Sequence, residues 1–130
     1  MRLSEILRGE TCWTSGYYAR DKDGETCYAH ADTAVCWCIS GAIHKAIGEP
    51  GDEFKARKDW LDNRRKWLSL ASKAAEWILA GYEISEDAKD QYERLGVPEG
   101  VLVEFNDEGI AEWPDIQRLI AYLEGEEVPA

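Results

Sequence analysis

The run from Asp32 to Gly48, "DTAVCWCISGAIHKAIG", constrains the fold more than any other stretch. Val35, Cys38, Ile39, Ala42, Ile43 and Ala46 fall at helical spacing and make a wide apolar stripe. Asp32 is a good N-cap, and Gly48 with Pro50 stops the pattern. The spacing predicts a buried central helix over 32–48. Gly41, next to Ala42, sits in its middle, where glycine costs about 1 kcal/mol relative to alanine. A glycine placed there predicts a second backbone crossing close to the helix.

The remaining elements are read around that helix. Leu3, Ser4, Ile6 and Leu7 suggest a short first helix ending near Gly9. "GYYARDKDGETCY" predicts a β-hairpin over 17–28, with strands Tyr17–Arg20 and Glu25–Tyr28 and Gly24 in the turn. Arg20 opposite Glu25 would close it with an opposite-charge pair. A long helical pattern covers 51–80, with Trp60, Leu61, Trp67, Leu68, Ala71, Ala74, Ala75 and Ile78 on its stripe, as one helix or two broken near Asn63 or Ser69. Ser85 caps a short helix over Glu86–Leu95, ended by Gly96 and Pro98. "VLVEF", Val101 to Phe105, is β-prone and predicts a short strand. Trp113-Pro114 opens a last helix that buries Ile116, Leu119, Ile120 and Leu123. The expected fold is mainly α (α+β): one compact domain over 1–125, with four to six helices around the central one, and a flexible acidic tail over 126–130.

Length and charge bound the function. A chain of 130 residues with 45% apolar side chains is one ordinary domain with a real core. The start "MRLSEILRGE" lacks the continuous apolar segment of a signal peptide. No apolar run approaches the roughly 18–20 residues of a membrane span. A soluble, cytoplasmic protein with four reduced thiols is expected. The net charge of −11 is unevenly placed. Residues 1–82 carry 12 acidic and 12 basic side chains, whereas residues 83–130 carry 14 acidic and 3 basic ones. The segment "KARKDWLDNRRK", Lys55 to Lys66, is basic and is expected to pair with the acidic third of its own or another chain. An acidic surface argues against direct nucleic-acid binding.

Reactive groups are few. On a helix, Cys36 and Cys38 would point about 200° apart and could not share a metal. His44 would lie about 12 Å from Cys36, too far for a catalytic pair. "DKDGE" fails as a calcium loop because Gly24 stands at the wrong position relative to Asp21. No phosphate loop, dinucleotide fingerprint or nucleophile elbow occurs. No metal, cofactor or catalytic residue is expected, and both histidines read as capping or surface residues.

Three functional expectations remain. The first is a non-enzymatic interaction protein docking its acidic C-terminal third on a basic, nucleic-acid-binding partner, its carboxylates standing where phosphates would. Glu83, Glu86, Asp87, Asp90 and Glu93 would form one cluster of that face, and Asp107, Glu108, Glu112 and Asp115 a second. The alternative is a small-molecule-binding domain or small enzyme, with a pocket between hairpin 17–28 and helix 32–48 lined by Trp13, Tyr18, Arg20, Asp32 and Trp37. The third is a structural homo-oligomer.

The pattern Trp13, Gly16, Tyr18, Ala19, Arg20, Gly24, then Ala34, Trp37, Cys38, Gly41, Ala42, and later Asn106 and Asp107, resembles a family of small uncharacterised bacterial and phage proteins described as a domain of unknown function. The resemblance runs over 13–46 and 105–123, and "KARKDWLDNRRK" reads as an insertion or a divergent segment. It implies no established activity. It does imply association with phages and mobile elements, and so an inhibitor of a host-defence nuclease complex as one form of the docking protein.

Overall fold

The hairpin forms where the turn residues demand it. In the computed structural model, which describes residues 2–48 and 57–125 and the backbone alone over 57–60, β1 (Ala19–Asp21) pairs antiparallel with β2 (Thr26–Cys27). Gly24 takes a φ of 80° in the turn, and the Asp21 carboxylate accepts the backbone N–H groups of Asp23 and Glu25. The register places Arg20 opposite Thr26 rather than Glu25. Its guanidinium instead donates to the Gly24 and Ser15 carbonyls at 3.0 and 3.2 Å.

The first half of the expected central helix is a strand. β3 (Ala34–Trp37) pairs antiparallel with β1, giving a sheet of order β2-β1-β3. Ala34, Val35, Cys36 and Trp37 suit a pleated, half-buried surface, and β1 offers an open edge that their N–H and C=O groups can pair with. The helix α2 therefore spans only Ile39–Ile47. Its N-cap is Cys38, whose sulfur accepts the Gly41 N–H at 3.2 Å, while Asp32 lies exposed in the turn before β3. Gly48, with φ 87°, ends α2 as expected.

Short α1 (Leu3–Ile6) and a 3-10 turn over Glu10–Cys12 precede the sheet. After α2 come α3 (Arg57–Gly81), α4 (Glu86–Leu95), α5 (Glu99–Asp107) and α6 (Trp113–Leu123). α3 runs unbroken past Asn63 and Ser69. Its stripe is buried at Ala71, Ala74, Ala75 and Ile78, but Leu61 and Leu68 are exposed. Ser85 caps α4 through the Ala88 N–H, and Gly96 closes it in the left-handed region. The 51–56 part of the long helical pattern, Pro50, the Trp60 side chain, Lys55 and the 126–130 tail lie outside the described residues.

The expected strand at 101–105 is helical. Its buried positions are Val101, Leu102, Phe105 and Asn106, a helical set that a period-2 strand cannot present to one core. α5 packs against α2, α3 and α4, and that burial outweighs the β preference of two valines and a phenylalanine. A single apolar core joins α1, α2, α3, α5 and α6, with Ile39, Ala42 and Ile43 of α2 fully buried in it. The molecule is thus a compact, mainly helical domain with one small antiparallel sheet. Among the described residues, no helix is long and apolar enough to cross a membrane.

Candidate functional site

Gly41 lets the sheet lie directly on α2. A Cβ at this position would stand 1.9 Å from the Tyr18 carbonyl oxygen, so only glycine admits the approach. The Cys38 N–H donates to that same carbonyl at 3.2 Å. The contact brings the Tyr18 ring edge-on to His44, three residues further along α2, with centroids 5.4 Å apart at 86°. His44 in turn stacks on Trp67 of α3 at 5.1 Å and 20°. Three rings from the hairpin, α2 and α3 thus stand in one row.

A cleft of about 390 Å³ opens along this row. Tyr18, Tyr28, Ala29 and His30 supply the sheet side, His44 the α2 wall, and Asn63, Arg64 and Trp67 the α3 wall. Asn63 donates to the Gly48 carbonyl at 2.8 Å and ties the two helices together. Burial, and then the neighbouring His30, lowers the His44 pKa below its ordinary 6.5, so its imidazole is neutral at pH 7. The Tyr18 hydroxyl donates to the Glu99 carboxylate at 3.0 Å. Burial and that carboxylate push its pKa up to about 12, which keeps the phenol a donor. The buried Ser40 hydroxyl donates to the same carboxylate at 3.1 Å. Trp67 Nε1–H is shielded from solvent and finds no acceptor among the described residues. Native interiors rarely leave such a donor unpaired.

The predicted pocket residues are not brought together. Tyr18 lines the cleft. Trp13 donates to Asn106 at 2.8 Å and stands 6.2 Å from Trp113. Trp37 is buried and donates to the Ala29 carbonyl at 2.9 Å. Arg20 is held on the hairpin by its two carbonyls, and Asp32 is exposed away from the cleft walls. His30, His44, Asn63, Arg64 and Trp67 were not singled out as site residues by sequence reasoning. A signal existed for one: His44 follows Gly41 by three residues and so shares its helix face.

Among the carboxylates, Glu83, Glu86, Asp87 and Glu93 are exposed on α4 or just before it, and Asp90 pairs with Arg94 at 3.2 Å. The second group is largely engaged within the chain. Asp107 accepts from Asn106 at 2.7 Å, and Glu112 is the N-cap of α6. Asp115 accepts the Tyr82 hydroxyl at 2.6 Å, the Glu112 N–H and Arg118. Burial acts upward on its pKa, but those three donors outweigh it and hold it below the usual value. Glu108 is exposed at the end of α5. Arg65 of the basic segment pairs with Asp62 on its own helix. Cys36 lies on β3 and Cys38 at a helix cap, so the helical geometry expected for them does not apply. Among the described residues, no three His, Cys, Asp or Glu side chains converge as metal ligands.

A family of unknown function, DUF6197, matches residues 2–123, a span that includes both regions of resemblance and the described part of the basic segment between them. The chain belongs to that family. No curated protein and no solved structure matches it significantly.

Proposed function

We propose that this member of the DUF6197 family is a ligand-binding domain that takes a small, flat, anionic molecule into the cleft between the hairpin, α2 and α3. The observation that carries this reading is the Tyr18–His44–Trp67 row along an open hollow. Its volume of about 390 Å³ lies in the range of roughly 300–1,000 Å³ typical of small-molecule sites. Aromatic faces favour a planar ring. A neutral imidazole offers one donor and one acceptor to the ring's polar edge. Arg64 on the α3 wall carries five N–H donors, enough to take a carboxylate or phosphate of the same molecule alongside its contacts within the chain.

The test is a titration against nucleoside monophosphates and aromatic carboxylates, read by tryptophan fluorescence and thermal shift. At least one class should raise the Tm by about 2 °C or more at saturating ligand. Trp67→Leu and His44→Ala should each abolish that gain, and Glu108→Gln should leave it intact. No gain across the panel, or a gain that survives both cleft variants, sinks the reading.

A second reading draws on α4 and its lead-in, where the carboxylates Glu83, Glu86, Asp87 and Glu93 are exposed. On this reading that face docks on a basic, nucleic-acid-binding protein, as an inhibitor of a host-defence complex would. It ranks below the cleft because the second acidic group is spent on capping and on Tyr82 and Arg118.

A further inference from the structure

The sheet register puts Cys27 and Cys36 in different rows. Across the strands, Cys27, Ala19, Trp37 and Trp13 form one row, with Ala19 and Trp37 buried. The next row, on the opposite face by strand alternation, holds Thr26, Arg20 and Cys36. Trp13 forms a parallel bridge with Trp37, and the Thr14 N–H donates to the Trp37 carbonyl at 3.0 Å. Cys12 ends the 3-10 turn just before Trp13, and Cys36 precedes Trp37 on β3, so the bridge brings the two cysteines close together. The Cys36 thiol already donates to the Thr11 carbonyl at 3.1 Å, beside Cys12. Burial raises the Cys36 pKa, the Cys12 thiol adds to the rise, and the Arg20 guanidinium opposes both. Both thiols are partly exposed, whereas Cys38 is buried at its cap and Cys27 lies in the other row.

We propose that Cys12 and Cys36 are a redox-active dithiol that closes reversibly into an intramolecular disulfide. The oxidant is a small disulfide of the glutathione class. One cysteine thiolate attacks a sulfur of oxidised glutathione, forms a mixed disulfide and expels one glutathione thiolate. The second cysteine, as its thiolate, attacks the protein-bound sulfur and expels the other. The two cysteine sulfurs lose two electrons, the two glutathione sulfurs gain them, and the two thiol protons end on the released glutathiones. The site is independent of the cleft.

The experiment equilibrates the full chain with glutathione buffers of increasing oxidation, followed by thiol counting and peptide mass mapping. Two of the four thiols should be lost, with the Cys12 and Cys36 peptides joined and the link removed by reductant. Cys12→Ser and Cys36→Ser should each stop at a single glutathione adduct, and Cys27→Ser should still close. Circular dichroism confirms that each variant is folded. A link through Cys27 or Cys38, or no link under oxidation that modifies the Cys12→Ser and Cys36→Ser variants, overturns the proposal.

Discussion

At the scale of single residues, Gly41 carries the arrangement of the cleft. A methyl group 1.9 Å from the Tyr18 carbonyl must push β1 off α2. Overpacking of this kind typically costs 1–3 kcal/mol, so Gly41→Ala should destabilise by about 3 kcal/mol in denaturant unfolding. It should weaken ligand binding as well, because Tyr18 and His44 would part. The need for a close crossing was legible in the sequence from a glycine inside a helical pattern, although Gly41 proves to lie in the first turn of α2 and not at the middle of a longer helix. Its partner was not: nothing in "GYYAR" marks the Tyr18 carbonyl as the atom that arrives. Asn106 was still less legible. Its amide accepts from Trp13 and the Ile39 N–H and donates to the Thr14 carbonyl and to Asp107. Three of those partners are 93, 67 and 92 residues away, and no spacing rule reaches so far.

At the scale of elements, caps and glycine stops read well and short apolar runs read poorly. The start and end of α4 and the start of α6 follow from Ser85, Gly96 and Trp113-Pro114. The runs at 34–37 and 101–105 went the opposite way from expectation, one to strand and one to helix. Four apolar residues in so short a run fit either period, and the open edge of β1 and the gap between α2, α3 and α4 decided between them. α4 is also where the docking reading can be tried without harming the fold. Glu93 is in the last turn of α4, where lysine suits the helix dipole, and Glu83 lies ahead of the Ser85 cap, outside the first turn where the dipole acts most strongly. If that face captures a basic protein, Glu83→Lys with Glu93→Lys should weaken the complex about tenfold, mostly through slower association and with a reduced salt dependence. Unchanged association rates would remove α4 from any such interface.

For the whole molecule, the class of fold and the charge asymmetry were legible, but the third wall of the cleft was not. Its α3 side chains lie on a segment whose basic character drew attention to charge rather than to Asn63 and Trp67. The cleft also marks the protein's pH response. His44 is held neutral, with its folded-state pKa below the unfolded 6.5. The unfolded chain then binds the proton more readily, so stability is full above pH 6.5 and falls as pH drops below it. Asp115 and Glu124, whose pKa values are lowered, lose their contributions only as pH falls below their ordinary 3.8 and 4.5. A Tm that declines between pH 7.5 and 5.5, and declines less in His44→Phe, isolates the imidazole from the carboxylates.

Glu124 has one more consequence. Its carboxylate accepts the Ser4 N–H at 2.7 Å, the Ser4 hydroxyl at 3.1 Å and the Arg2 guanidinium. The path that enters the domain and the path that leaves it therefore share one spot on the surface. A unit wired in this way can be spliced into a surface loop of a host protein without prising that loop apart. The same adjacency allows the two paths to be joined by a short linker and the chain reopened at the Lys22–Gly24 turn, giving a circular permutant with its aromatic row undisturbed.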